Sequence, residues 1–186
     1  MIQEIVCRGD KVSVAFHKLF PSWNICVTGA LGSLGHLLVA WNPRGDEIFP
    51  YLTVAGIMLT RSFRGMSQTF NLVNCYGSYK ERSFFLYIIA MEGILNLPNL
   101  IFFHDLNFTT SFSKTWGNYR GDRLSGYFTQ LFLDAKLVDV VLAKFVPPWN
   151  NGGFGRDGIC KRLDTFFYGR SSFRSCGEIL DLDPSF

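Results

Sequence analysis

The chain has 186 residues, of which 48% are hydrophobic and 18% are charged. This length accommodates one domain with a core of its own, and the hydrophobic content excludes intrinsic disorder. The net charge of +3 is compatible with weak attraction to a polyanion but does not require it. The longest uninterrupted apolar run, Phe84–Met91, is far shorter than the roughly 20 residues that span a bilayer, so we expect no membrane span.

Phenylalanine is unusually frequent, with 19 copies, which predicts more apolar surface than one small domain hides and therefore either poor solubility or a surface for a partner. The five cysteines are scattered and contain no Cys-x-x-Cys pair, which argues against a disulfide framework and a structural zinc site. The first residues lack the basic start and apolar run of a secretory signal. We therefore expect an intracellular protein, in the nucleus or cytoplasm and not secreted, with buried thiols.

Hydrophobic patterning divides the chain into strands and helices. The first segment, Lys11–Phe20, is amphipathic and is predicted to be a helix that Pro21 ends. Runs rich in β-branched and aromatic residues predict strands at Ile25–Thr28, His36–Trp41, Tyr51–Thr60, Thr69–Tyr76, Leu100–Phe103 and Ile159–Tyr168. Apolar residues at helical spacing predict helices over Tyr79–Leu97 and Asp122–Lys136. This order predicts an α/β sandwich of packed sheets covered by helices, and not a Rossmann sheet.

The most informative segment is the end of the strand at Leu100–Phe103, where Asp105 and Asn107 follow. A carboxylate and an amide two residues apart at a strand end point the same way. Such a pair is suited to orienting a water molecule and holding a phosphoryl oxygen. Because Asp and Asn both favour turns, the pair by itself is more typical of a simple turn.

Other short motifs accompany this pair, in a fixed order along the chain. They are Gln3-Glu4-Ile5, Ser33–Trp41, Leu72–Tyr76, His104–Asn107, Leu137–Asp139 with Phe145–Asn150, and Arg162–Phe167. In this order they resemble the endonuclease/exonuclease/phosphatase superfamily, the fold of DNase I and of apurinic-type endonucleases. Within that superfamily, the sequence is most similar to the endonuclease domains of plant LINE-type retrotransposons.

The resemblance implies a DNase I-like sandwich of two mainly antiparallel β-sheets and Mg²⁺-dependent hydrolysis of a phosphodiester. It implies that Glu4 helps to bind Mg²⁺ and that Asp105 orients or deprotonates the attacking water. It further implies that Asn107 and Tyr76 contact the phosphate, and that Asp164 orients a histidine acting on that phosphate.

Two departures from the family pattern bear on activity. The family opens with a strand carrying Trp-Asn and closes with Ser-Asp-His, and neither motif is found here. We therefore expect a truncated domain over residues 1–170 that lacks the terminal strands, followed by a diverged C-terminal segment over 171–186. The sequence contains no histidine after His104, which itself replaces a glycine of the family motif and is expected to crowd the site.

Three hypotheses about function follow. The first is a retroelement-derived, catalytically impaired Mg²⁺-dependent DNA endonuclease-like protein that retains some nucleic-acid binding. The second is a non-enzymatic interaction protein, interfering or toxic, captured from a retroelement. The third is an active phosphodiesterase that uses Glu4, Asp105 and Asn107. Whether the chain is an enzyme stays open at this point, although the absent histidine favours an inactive protein.

Candidate contacts with DNA lie in the last third of the chain, where aromatic and basic residues alternate. The predicted nucleic-acid-binding residues are Trp149, Asn150, Arg156, Lys161 and Arg162. A solvated surface above aromatic core residues explains the same pattern equally well. A protein partner or a second copy is expected to bind through sheet edges that the missing strands leave exposed.

Overall fold

The computed structural model describes residues 2–5, 9–29, 36–44, 48–53, 56–62, 67–77, 82–105, 107, 109, 114–117, 122–140, 149–152, 159–161 and 164–169. The helices are α1 (Gly9–Leu19), α2 (Arg82–Met91) and α3 (Ser125–Asp134). The first six strands are β1 (Ile2–Ile5), β2 (Asn24–Val27), β3 (His36–Trp41), β4 (Ile48–Leu52), β5 (Gly56–Ser62) and β6 (Thr69–Tyr76). The others are β7 (Leu100–Asp105), β8 (Thr115–Gly117), β9 (Leu137–Asp139), β10 (Trp149–Asn150), β11 (Ile159–Lys161) and β12 (Asp164–Gly169).

The main sheet has six strands in the order β4-β5-β6-β7-β12-β9. All neighbours pair antiparallel except β6 and β7, which are parallel. The parallel pair follows from the chain itself, because α2 lies between these two strands and returns the backbone to the same end of the sheet. The carboxyl ends of β6 and β7 therefore meet at one edge.

A second sheet, in the order β1-β3-β2, packs against one face of the main sheet. The buried residues between the two sheets come from alternate positions of β3 and β5, and they are Leu37, Val39, Ile57 and Leu59. Side chains alternate along a strand, and those on the opposite face of the main sheet pack against α2 and α3. The predicted sandwich of mainly antiparallel sheets flanked by helices is confirmed.

Helix α1 contacts β2 of the second sheet, and helices α2 and α3 cover the other face of the main sheet. Their buried residues are aromatic or β-branched and pack onto β6, β7 and β12; they include Phe85, Ile89, Phe128 and Phe132. None of the helices in the described part of the chain is long and apolar enough to cross a membrane.

A third, smaller sheet has the order β10-β11-β8. Its central strand β11 ends at Lys161, three residues before β12 begins at Asp164. The prediction of one strand over Ile159–Tyr168 is therefore wrong, since this stretch is divided between two sheets.

The predicted strand at Tyr51–Thr60 is likewise wrong, because it is a hairpin of β4 and β5. The Thr53 amide donates to the Gly56 carbonyl oxygen at 2.9 Å, and the Gly56 amide donates to Thr53 Oγ1 at 3.0 Å. These two hydrogen bonds close the turn between β4 and β5. The sequence here is continuously apolar, so hydrophobic patterning does not indicate where one strand ends and the next begins.

The predicted helix Tyr79–Leu97 ends earlier than expected, at Met91. Gly93 has φ 65°, a left-handed conformation that favours glycine and commonly stops a helix. A 3₁₀ turn at Ile94–Asn96 then leads the chain into β7. The start of that prediction, residues 79–81, lies outside the described residues.

Candidate functional site

Sheet register brings three of the predicted site residues into one row. Tyr76 on β6 stands beside Asp105 on the parallel strand β7. Asp164, the first residue of β12, stands opposite Asp105 on the other side. Three positions that are far apart in the sequence thus lie on adjacent strands at one edge of the main sheet.

Asp105 is held at this edge by hydrogen bonds of its side chain and backbone. The residue is 6% exposed, so its carboxylate lies in a largely desolvated position. Its Oδ1 accepts a hydrogen bond from the Asn107 amide at 2.8 Å, and its carbonyl oxygen accepts one from the Gly77 amide at 2.7 Å. The carboxylate is therefore oriented before any ligand arrives.

Asn107 ties the ends of β6 and β7 together. Its Nδ2 donates to the Gly77 carbonyl oxygen at 2.9 Å. Its φ is 55°, in the left-handed region that asparagine tolerates better than most residues. A side-chain amide carries two hydrogens, and this bond occupies one of them. Contact between Asn107 and a phosphate thus stays a prediction, and the structure adds a role in positioning Gly77.

Tyr76 extends from β6 into the layer between the two sheets. It is half-buried and packs against the cluster of Leu37, Val39, Ile57 and Leu59. Asn74, two residues earlier on the same face of β6, is fully buried. The sequence analysis did not single out Asn74 or Gly77. Their positions close to Tyr76, at the end of a predicted strand, were the one signal that could have identified them.

Glu4, the predicted metal ligand, is on β1 in the second sheet. β1 pairs antiparallel with β3, with Ile2 opposite Leu38 and Ile5 opposite His36. The side chain of Glu4 lies outside the described part of the structure. Among the residues that the structure describes, no group of three or more His, Cys, Asp or Glu side chains forms a metal site. Mg²⁺ often uses only one or two carboxylates together with water and phosphate oxygens, so the buried carboxylate of Asp105 fits such a site.

His104 points away from this row of residues, into the helix-covered core. It is 3% exposed and stacks on Phe167, with ring centroids 5.3 Å apart and planes inclined by 15°. It also stacks on Phe132 of α3 at 5.7 Å. Because neighbouring residues of a strand face opposite ways, His104 and Asp105 lie on different faces of the sheet. The expectation that His104 crowds the site is therefore wrong.

The side chain of Asp164 lies outside the described part of the structure, so its pairing with a histidine stays a prediction. His17 is exposed on α1, and His104 is on the opposite face of the main sheet. His36 is on β3 of the second sheet, and its side chain is not among those described. The sequence contains three histidines in all.

Cys75 lies between Asn74 and Tyr76 but faces the helices. Burial raises the pKa of its thiol well above the ordinary value, and the nearby charge of Glu92 raises it further. Burial also raises the pKa of Cys26 on β2. Both thiols therefore stay protonated at neutral pH, which does not suit a nucleophile.

Three of the predicted nucleic-acid-binding residues share the small third sheet. Trp149 stands opposite Lys161, and Asn150 opposite Cys160. Along the chain, Lys161 is only three residues from Asp164. Arg156 and Arg162 lie outside the described residues. Trp116 on β8, which pairs with Cys160 and is 41% exposed, belongs to the same sheet.

A buried ion pair joins this small sheet to the main one. Lys114, directly before β8, is 8% exposed, and its Nζ lies 2.5 Å from Asp139 Oδ2 on β9. The same Nζ lies 5.4 Å from the centre of the Phe167 ring. Nothing local in the sequence indicates that Lys114 is buried.

Comparisons with known proteins identify the fold of this chain. No protein-family model and no curated protein matches the chain. Among solved structures, the endonuclease domain of TRAS1, a telomere-specific non-LTR retrotransposon, superposes with a TM-score of 0.61 and 18% identity, over 86% of this chain and 77% of that domain. TDP2 from Caenorhabditis elegans has a TM-score of 0.53 and 15% identity, over 90% of this chain and 52% of its own.

A third similar structure is an endonuclease/exonuclease/phosphatase family protein from Bacteroides thetaiotaomicron. Its TM-score is 0.52 at 13% identity, over 89% of this chain and 67% of that protein. The chain has the DNase I-like fold of the endonuclease/exonuclease/phosphatase proteins. It spans about half the length of TDP2 and roughly three quarters of the TRAS1 domain. In this DNase I-like fold, the row of Tyr76, Asp105 and Asp164 is the candidate site.

Proposed function

We propose that this protein is a retroelement-derived, endonuclease-like domain that binds the phosphodiester backbone of DNA and hydrolyses it poorly or not at all. The observation that carries the proposal is the register that aligns Tyr76, Asp105 and Asp164 on three adjacent strands. The likeness in fold to the TRAS1 endonuclease domain supports the retroelement origin, and the sequence motifs favour the plant LINE type.

In the proposed site, each residue has a different role in binding a phosphodiester. The carboxylate of Asp105, already oriented by the Asn107 amide, is placed to accept a hydrogen bond from a water molecule. The Tyr76 hydroxyl and the second hydrogen of the Asn107 amide are the donors for a phosphate oxygen. Glu4 would help to hold Mg²⁺, which would neutralise the charge that develops on the phosphate.

Weak hydrolysis follows from the place of the histidines. In the proposed scheme Asp164 orients a histidine, and the sequence contains no histidine after His104. Members of a catalytic unit act together, so loss of one removes most of the rate enhancement while binding persists. DNA binding with little cleavage is the expected behaviour of this arrangement.

The test combines binding and cleavage on the purified, folded protein. We expect a fluorescein-labelled DNA duplex to bind with an affinity that falls as salt rises, because the contacts are to phosphates. We expect supercoiled plasmid in Mg²⁺ to be nicked no faster by the wild type than by Asp105→Asn or by the wild type in EDTA. Absence of DNA binding at low salt would overturn the proposal.

A matched pair of variants assigns the binding to this site. Asp105→Asn removes a negative charge facing the phosphate, so in EDTA it is expected to tighten duplex binding at least two-fold. Asp134→Asn removes the same charge from the exposed outer face of α3 and is expected to leave binding unchanged. Equal effects of the two variants would place the DNA elsewhere. Metal-dependent nicking that Asp105→Asn abolishes would instead establish an active phosphodiesterase.

A further inference from the structure

The small sheet of β8, β10 and β11 is attached to the rest of the molecule without apolar packing of its described residues. The structure describes the exposure of four residues in this sheet, and they are Thr115, Trp116, Gly117 and Ile159. None of these four belongs to the cluster between the two larger sheets or to the cluster beneath the helices. Hydrophobic contacts of these residues therefore do not hold the small sheet in place.

The first attachment of the small sheet is the chain itself. β11 ends at Lys161, and β12 begins at Asp164 in the row of candidate site residues. Three residues of chain span at most about 10 Å, so the end of β11 lies close to that row. A short covalent connection limits the distance between two sheets, but rotation about its backbone bonds leaves their relative orientation open.

The second attachment is the ion pair between Lys114 and Asp139, at the edge strand β8. Lys114 directly precedes β8, and its Nζ lies 2.5 Å from Asp139 Oδ2 and 5.4 Å from the centre of the Phe167 ring. Asp139 stands opposite Phe167, which is three residues along β12 from Asp164. The start of β8 is thus tied to the interior of the strand whose first residue belongs to the candidate site. Two attachments at two points fix the orientation that the chain connection alone leaves open.

Lys114 is not placed to bind DNA itself. The residue is 8% exposed, and its ammonium group is engaged by the carboxylate of Asp139. A lysine that binds the phosphate backbone must present its charge at the surface, because the contact replaces counterions that surround the DNA. An effect of Lys114 on DNA binding therefore has to pass through the strands that it holds.

We propose that Lys114 is a positioning residue, which through Asp139 sets the orientation of the small sheet for DNA binding. Thr115, the next residue, pairs with Lys161, and Lys161 pairs with Trp149. The row that contains these two candidate DNA contacts therefore begins one residue from the ion pair. The inference rests on the proposed DNA binding, and it adds that the affinity depends on a buried contact that does not touch the DNA.

Two double variants separate the orientation of the small sheet from the charge of Lys114. Lys114→Ala/Asp139→Ala removes the contact, whereas Lys114→Met/Asp139→Leu replaces it with an apolar contact between long side chains. Each variant removes one positive and one negative charge, so the net charge of +3 is unchanged. Neither variant leaves one member of the buried pair without its counter-charge, so both are expected to fold.

The first test measures the binding of a fluorescein-labelled DNA duplex at several salt concentrations. We expect Lys114→Ala/Asp139→Ala to bind at least five-fold more weakly than the wild type, with a salt dependence that is shallower by about one phosphate contact. Lys114→Met/Asp139→Leu is expected to bind within two-fold of the wild type. Arg82→Ala/Asp122→Ala is the matched control, because it removes a half-buried ion pair at the start of α2, and it is expected to bind as the wild type does.

Two results of this test would overturn the proposal. Equal losses of affinity in the two Lys114 double variants would show that Lys114 contacts the DNA with its own charge. Wild-type affinity of Lys114→Ala/Asp139→Ala would show that the ion pair has no part in binding.

The second test follows amide hydrogen exchange by mass spectrometry and needs no DNA. We expect β8 and β11 to exchange faster in Lys114→Ala/Asp139→Ala than in the wild type, while β6 and β7 keep the wild-type rate. Lys114→Met/Asp139→Leu is expected to exchange at the wild-type rate in all four strands. Unchanged exchange of β8 and β11 in the alanine variant would overturn the attachment. A wild type that shows the expected exchange but binds no DNA would reject the proposed function, and the positioning role with it, while the attachment itself stands.

Discussion

At the residue scale, two small residues fix the geometry of the candidate site. Gly77 uses both its backbone groups to join β6 to β7, through Asp105 and Asn107. Asn107 can make its part of this link because it adopts a left-handed backbone with φ 55°. The residue therefore carries a conformational and a hydrogen-bonding requirement together, and substitutions separate them.

Replacing Asn107 tests these two requirements. Asn107→Gly removes the hydrogen bond to Gly77 but accepts the left-handed backbone, and it is expected to cost about 1 kcal/mol of unfolding free energy. Asn107→Ala removes the bond and adds a left-handed penalty of about 1 kcal/mol. Urea unfolding of the two variants and the wild type measures both terms. Equal stability of the alanine and glycine variants would show that the backbone conformation carries no cost.

Cys75 provides a test of burial through its protonation. Its raised folded pKa means that the unfolded chain loses the thiol proton first as pH rises. The contribution of Cys75 to the free energy of unfolding is thus fully present below the thiol pKa of 9.0 in the unfolded chain. It is lost as the pH rises above that value. We expect stability to fall above that pH, and Cys75 to react with a thiol reagent only after unfolding. Rapid labelling of Cys75 in the native protein, followed by mass spectrometry, would contradict this.

At the element scale, the close contact of β5 with β6 determines where the site strand lies. Gly56 begins β5 opposite Cys75, beside the end of β6. A Cβ atom at Gly56 would lie 2.1 Å from the carbonyl oxygen of Asn74 and 3.1 Å from Cys75 Cα. Both are backbone atoms, so the strand itself must move to admit a side chain.

Two glycine-to-alanine variants compare this contact with open space. Gly56→Ala is expected to destabilise the protein by about 1–3 kcal/mol, because β5 is forced away from β6. Gly126→Ala, on α3, meets no atom within 4 Å and is expected to leave stability unchanged or raise it by up to about 1 kcal/mol. Thermal unfolding of both variants is the measurement. Similar melting temperatures would show that β5 can move away from β6 without loss of stability.

At the scale of the whole molecule, the Lys114–Asp139 pair holds the small sheet of candidate DNA contacts against the main sheet. The two side chains are 10% and 20% exposed, so both charges of the ion pair are largely removed from solvent. Phe167, under Lys114, also stacks on His104. The pair therefore joins the edge strand β9, the core and the start of β8.

A double-mutant cycle measures this connection. Lys114→Met alone leaves the Asp139 carboxylate without its cation and is expected to cost about 3–5 kcal/mol. Lys114→Met/Asp139→Leu is expected to recover most of that loss, because a buried pair replaced by apolar residues is often nearly neutral. Urea unfolding of the wild type, the two single variants Lys114→Met and Asp139→Leu, and the double variant gives the coupling free energy between the two side chains. Strictly additive losses would mean that the two charges do not stabilise each other.

Much of the fold follows from local pattern. The predicted strand Thr69–Tyr76 agrees with β6 at both ends, and His36–Trp41 agrees with β3. Turns hidden in apolar stretches were missed, as at Thr53–Gly56, because hydrophobic patterning does not report a change of strand direction. The short strands β8 and β10 were also missed, since two or three residues provide no periodicity.

The sequence alone determined which residue types stand in the candidate site and in which order, because carboxylates and amides after a strand end are visible in one dimension. Only the tertiary structure decided that Tyr76, Asp105 and Asp164 share one row, since strand register depends on pairings between distant segments. It also decided that His104 belongs to the core and that Lys114 is buried. Burial is set by what packs above a residue, and no local pattern states what that neighbour is.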